Sequence, residues 1–156
     1  MELARENWAH FHANFSDGST VAELLKRAYS GEPTDAWHDD LFQELLHQYT
    51  VSESAYPAAA HLVRLSEKYP EYRMQLMVLL GGCVAFSDEA VLDRMPDDVK
   101  LAWDQAAEDA IPLILSLLGE VSASPSALVY LFSALAACSG HPALARSIEA
   151  LDYEPD

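Results

Sequence analysis

PAAAHLVRLSEKYPEYRMQLMVLLGGCVA, residues 57–85, and PLILSLLGEVSASPSALVYLFSALAACSG, residues 112–140, are the two stretches that decide the fold. Set 55 positions apart, they share Pro57/Pro112, Leu62/Leu117, Pro70/Pro125, Leu76/Leu131, Leu80/Leu135 and Cys83/Cys138. The prolines fall where helices begin, since a first-turn residue needs no partner for an N–H. The leucines recur at helical spacing on one face. Hydrophobic class agrees as well, with Val63 opposite Leu118 and Met77 opposite Phe132. A helical pair written twice predicts a stacked α-helical array.

The second arm of each copy is apolar nearly throughout. Over residues 74–86 only Gln75 is strongly polar, and residues 126–138 carry no charge. A helix apolar on every side has to be covered on several sides, so both arms are expected in the interior. Gly81-Gly82 aligns with Ala136-Ala137. Small residues at one helical step in both copies predict close approach by a neighbouring helix rather than a chain break.

Working outward, helix signals are dense and strand signals weak. Residues 2–14 read as a first helix. Ser19 or Thr20 can cap a second, with Glu23 at the capping-box distance from Thr20. Thr34 or Asp35 opens a third, carrying Trp37, Leu41 and Leu45 on one face. A short helix is expected over residues 88–94, a longer one from Asp97, and a last one from Pro142 to about Leu151. Pro112 either kinks the long helix or divides it. The expectation is an all-α fold, a short α–α superhelix of about eight helices in one domain over residues 1–156. Residues 1–33 form N-terminal capping helices, 34–87 a first repeat unit, 88–140 a second, and 141–156 a C-terminal cap and tail.

His47-Gln48-Tyr49-Thr50-Val51, followed by Tyr56-Pro57-Ala58-Ala59-Ala60 and Leu62-Val63, resembles a phrase of bacterial HEAT-repeat-like proteins. In that group a helix ending in His-Gln leads through Thr-Val to a Tyr-Pro-Ala start. The resemblance covers about residues 40–86. The chain departs from the pattern by the additional Ser52-Glu53-Ser54-Ala55 and by Tyr49, where a small residue is expected. The resemblance implies an α–α superhelix without enzyme activity, of a kind that includes immunity and regulatory proteins. It names no partner.

Charge narrows the partners. The chain has 25 acidic and 9 basic residues, a net charge of −16. No Lys/Arg run is present to displace counterions from a nucleic acid, and anionic lipid headgroups are repelled too. A basic protein would be steered in. The acids concentrate on one side of the helix from Asp97, where Asp97, Asp104 and Glu108 recur at i, i+7 and i+11 with Asp93 and Asp98 beside them. Val99, Trp103, Ala106, Ala110 and Ile114 take the opposite side. A solvated helix face has the same pattern, so the stripe is a candidate partner-binding site and not a signature. No charged-then-apolar signal segment opens the chain, and no apolar stretch reaches the ~18 residues of a membrane span. A reducing, cytoplasmic setting is expected, with Cys83 and Cys138 as buried small hydrophobes.

Catalytic patterns are sparse. Asp40, Glu44 and His47 place three ligand types within two helical turns, with the Glu-x-x-His spacing of di-iron bundles, but the second such motif is lacking. Gly-x-Ser-x-Gly, Walker and dinucleotide motifs are absent from the sequence. The reading is therefore a protein-binding module with no catalytic residue, cofactor or metal and a basic protein as partner. A metal-binding helical protein using Asp40, Glu44 and His47 and a self-associating structural array are the alternatives.

Overall fold

Nearly every helix begins where the sequence supplies a cap or a proline. In the computed structural model, which describes residues 1–31, 33–120 and 125–151, Asp17 caps α2 (Gly18–Tyr29), its carboxylate accepting from Ser19 N at 2.8 Å. Thr34 caps α3 (Asp35–Leu45) by accepting from Trp37 N at 3.1 Å. Pro57 sits in the first turn of α4 (Ala55–Lys68), and a single 3-10 turn at Pro70–Tyr72 leads into α5 (Arg73–Ala85). Asp88 caps α6 (Glu89–Asp93). The long helix α7 (Asp97–Glu120) runs through Pro112 without dividing. Pro125 opens α8 (Pro125–Cys138) and Pro142 opens α9 (Pro142–Glu149). With α1 (Arg5–Trp8), these helices make the chain all-α apart from one hairpin, β1 (Leu46–His47) and β2 (Thr50–Val51), among the described residues.

The two copies of the repeated stretch become two helical pairs. α4 packs with α5 and α7 with α8; across the pairs, α4 lies on α7 and α5 on α8. The amphipathic split of α7 is realised, with Val99, Trp103, Ala106, Ala110 and Ile114 buried. Trp103 stacks near Tyr56 at 4.7 Å between ring centroids, and Trp37 is buried with its Nε1 donating to Leu24 O at 2.7 Å. The inner contact is closest at Gly81. A Cβ added there would fall inside the van der Waals radius of Ala134 Cβ and Cα, so the α5 backbone rests directly on α8.

Several expectations are corrected. The first helix stops at Trp8 instead of running to Asn14. Other hydrogen bonds take over its amides: the N–H groups of His12, Ala13 and Asn14, which a continued helix would turn back onto residues 8–10, donate to Glu53 Oε2 at 3.1 Å, Ser16 O at 3.2 Å and Glu44 O at 3.1 Å. The cap of α2 is Asp17 and not Ser19 or Thr20. α3 ends at Leu45, and the His47–Val51 phrase is a hairpin whose two-residue turn holds Gln48 at φ 46° and Tyr49 at φ 66°. Such turns favour Asn-Gly because both central residues are left-handed. Holding bulky residues there costs about 1–2 kcal/mol each. Side-chain bridges stabilise it: Asn14 Nδ2 donates to Gln43 O and to Thr50 O, and Tyr49 stacks on Phe86 at 4.7 Å.

The second apolar helix is not covered all round. Met77 is fully buried, whereas its counterpart Phe132 is 48 % exposed. α5 has α4, α7, α8 and α9 around it, while beyond α8 only α9 follows. The residues that α8 buries are Leu131, Ser133, Ala134, Ala136, Ala137 and Cys138. The acidic tail after Leu151 lies outside the described residues.

The contact at Gly81 makes one substitution act with opposite signs at two glycines. Gly119 lies on α7 with nothing within 4 Å of an added Cβ. Gly119→Ala is expected to stabilise by about 0.5 kcal/mol through helix propensity. Gly81→Ala carries the same propensity gain, but it wedges α5 from α8 and is expected to lose about 1–2 kcal/mol net. Urea denaturation of the two variants checks the difference; equal effects would show that α5 and α8 do not meet there.

Candidate functional site

Side-chain chemistry on α7 starts from its exposed face. Asp97, Asp98, Asp104 and Glu108 are all exposed, as is Asp93 at the end of α6. Lys100 draws two of these groups together: its Nζ lies 3.0 Å from Asp97 Oδ1 and donates to Asp93 O at 3.3 Å. Among the described residues, no cation lies within ion-pair distance of Asp98, Asp104 or Glu108. In the middle of these acids stands Leu101, 71 % exposed. Asp97 and Asp98 precede it by four and three residues and Asp104 follows by three, so all three are its neighbours on the helix surface. Sequence reading found the acids and missed Leu101, because a lone leucine in an amphipathic helix is ordinarily assigned to the core.

Glu44 and His47, two of the candidate metal ligands, are engaged by other partners. α3 ends before His47, so Glu44 and His47 are not a helical i, i+3 pair. Glu44 Oε2 accepts from Phe15 N at 3.1 Å, and His47 Nδ1 lies 2.7 Å from Gln43 Oε1 with its ring edge-on to Phe15. Asp40 is exposed and lines a shallow groove with Phe15 and Thr20. Through Phe15, Glu44 and His47 hold the loop after α1 in place. Among the described residues, no three His, Cys, Asp or Glu side chains converge as metal ligands.

Both cysteines are free and buried; burial pushes the Cys83 and Cys138 thiols up to about 12. Neither supplies a thiolate near neutral pH. No described helix is long and apolar enough to cross a membrane.

One buried polar cluster went unread in the sequence. His61, on α4, lies between Tyr29 and the start of the chain. Its Nδ1 is 3.0 Å from Tyr29 Oη and its Nε2 is 3.1 Å from Met1 O. A carbonyl only accepts, so Nε2 carries the proton and Nδ1 accepts from the tyrosine hydroxyl. Burial, the largest cause, lowers the His61 pKa to about 4, against a hydrogen bond to Met1 O that raises it; the N-terminal ammonium and Arg64 lower it further. With both nitrogens engaged, the ring serves to tie α2, α4 and the N-terminus together.

A second surface feature lies at the other end of the stack. Leu128, Phe132, Leu135, Leu144, Ile148 and Leu151 line an apolar groove of about 620 Å³ on α8 and α9. Between Pro125 and Leu151 the only Asp, Glu, Lys or Arg residues are Arg146 and Glu149. Arg146 Nη1 donates to Ala85 O at 2.6 Å, closing the C-terminus of α5.

Compared with protein-family models, curated proteins and solved structures, the chain finds no match.

The depressed His61 pKa sets a direction for stability against pH. The unfolded chain binds a proton at His61 near pH 6.5 and the folded one only near 4, so stability rises with pH between these values. It is complete above about pH 7 and is lost as pH falls towards 4. Chemical denaturation at about pH 5 is expected to show about 2 kcal/mol less stability than at about pH 7.5. His61→Gln should flatten this difference; an unchanged slope would assign it to other groups.

Proposed function

We propose that this chain is a non-catalytic binding module of HEAT-like type, an α–α superhelix that holds a basic protein against the outer face of α7. The observation that carries the reading is Leu101, an apolar anchor 71 % exposed and ringed by Asp97, Asp98 and Asp104, with Glu108 one turn further on. An anchor at the centre of a charged rim is how protein interfaces concentrate affinity: the apolar group loses its water, and the rim selects charge and sets association rate. Unpaired Asp98, Asp104 and Glu108 supply that rim for Lys and Arg. The stacking of α4 on α7 and of α5 on α8 supports the superhelix, as does the resemblance of residues 40–86 to HEAT-like proteins. In concrete form the chain is an immunity or inhibitor protein. Its acids would sit in the groove where a basic toxin, such as a nuclease, takes phosphates.

The test is affinity capture of basic proteins from the native cell extract, followed by titration of the captured partner. Asp98→Asn, Asp104→Asn and Glu108→Gln together should leave the melting temperature unchanged and weaken binding at least about tenfold. Leu101→Ala should weaken it independently, and added salt should weaken the wild type more than the triple variant. A basic partner bound equally by wild type and triple variant would overturn the assignment of the site.

A second reading, self-association of the array, is favoured by the apolar groove on α8 and α9. Sedimentation separates the two. An apolar homodimer should persist or strengthen at high salt and dissociate on Phe132→Glu, whereas the acid-mediated complex dissociates with salt.

A further inference from the structure

Behind the hairpin lies a cleft of about 180 Å³ that neither the acidic face nor the apolar groove includes. Five elements build it: Phe42 from α3, Tyr49 from the turn, Val78 and Gly82 from α5, Tyr130 from α8 and Glu149 from α9. Its size suits the end of one side chain, since an engineered cavity of about 150 Å³ holds benzene. Gly82 seats the hairpin there, for a Cβ on it would come within 2.6 Å of Leu46 Cδ2.

Two side chains of the cleft keep capacity beyond their contacts within the fold. Tyr49 is 66 % exposed yet held at φ 66°, next to Gln48 at φ 46°. Asn-Gly would close this turn with less strain. Its ring stacks on Phe86 at 4.7 Å and still leaves most of its surface open to a second group. Glu149 is the other. Among the described residues it has the only acidic side chain lining the cleft, and Ser133 Oγ donates to its Oε1 at 2.8 Å. One hydroxyl fills a fraction of a carboxylate's acceptor capacity. No described cation pairs with it, because Arg146 is turned to Ala85 O.

We infer that this cleft receives one arginine side chain of a partner protein. A guanidinium can lie against the Tyr49 and Tyr130 rings and donate to Glu149, a combination of stacking and charge-assisted hydrogen bonding that a neutral group does not match. The inference rests on the proposed reading for the class of partner, a basic protein, and adds an anchoring point on a different face from α7.

The experiment uses N-acetyl-arginine methylamide as the probe and its citrulline analogue, a neutral isostere, as the control, followed by NMR on the full chain. Saturable shifts are expected at the Gln48, Tyr49 and Gly82 amides and the Tyr130 ring, with citrulline at least about tenfold weaker. Glu149→Gln should reduce arginine to the citrulline level, and Tyr49→Ala should abolish the shifts. Tyr49→Gly, which suits the left-handed turn position, should abolish the shifts as well and so separates loss of the ring from loss of the hairpin. Glu71→Gln, at an exposed acid in neither site, should leave the titration unchanged. No saturable shift at these groups, equal binding of both probes, or arginine binding untouched by Glu149→Gln would overturn the inference. Each outcome leaves the α7 face to be judged by its own variants.

Discussion

The backbone of Gly81 resting on Ala134 is the contact that the remaining geometry follows from. With no side chain between them, α5 and α8 come as near as helices can, and the outer helices α4 and α7 are brought together in turn. Gly82, one residue on, faces a different neighbour. There the absent Cβ admits Leu46 and with it the hairpin. Two adjacent glycines in one helix thus set two relationships: the spacing of the helical pairs, and the position of a strained turn over α5. Both would be unfavourable choices in an exposed helix. They are stable here because most of α5 is buried and packing outweighs propensity.

The chain separates its surface chemistry along its length. The acids of α6 and α7 stand outside the α4–α7 layer, and among the described residues Lys100 alone pairs with one of them. α8 and α9 carry exposed apolar side chains and, within residues 125–151, just Arg146 and Glu149. Each of those two has an internal task, Arg146 at the end of α5 and Glu149 at Ser133. A charge of −16 therefore does not spread evenly. One face combines charge with an exposed leucine, another offers apolar area, and the hairpin cleft lies apart from both.

How far these features could be read from the sequence depends on the range of the interactions that fix them. The all-α class, the helix starts at Thr34, Pro125 and Pro142, the buried side of α7 and the interior place of α5 are local or periodic properties, and they were legible. The stop at Trp8 was not, because Glu53 and Glu44, distant in sequence, claim the amides of His12 and Asn14 that a longer α1 would have used. The hairpin was hidden for a similar reason: Gln48-Tyr49 has none of the usual turn composition, and the conformation depends on Asn14 and Gly82. Phe132 was misplaced because periodicity reports that a helix is apolar without reporting how many neighbours it has. His61 and Leu101 show two opposite limits. A histidine between apolar residues gave no hint of Tyr29 and Met1 O, and an exposed leucine looks like any buried one in a linear string.

The Gly81–Ala134 contact also bears on how this chain can drift. Position 134 cannot grow while position 81 remains in its place, and position 81 cannot gain a methyl unless the whole α8–α9 pair slides. Descendants of this sequence are thereby bound to change the two positions jointly or leave both alone. Their covariation is the mark that this packing would leave in a lineage.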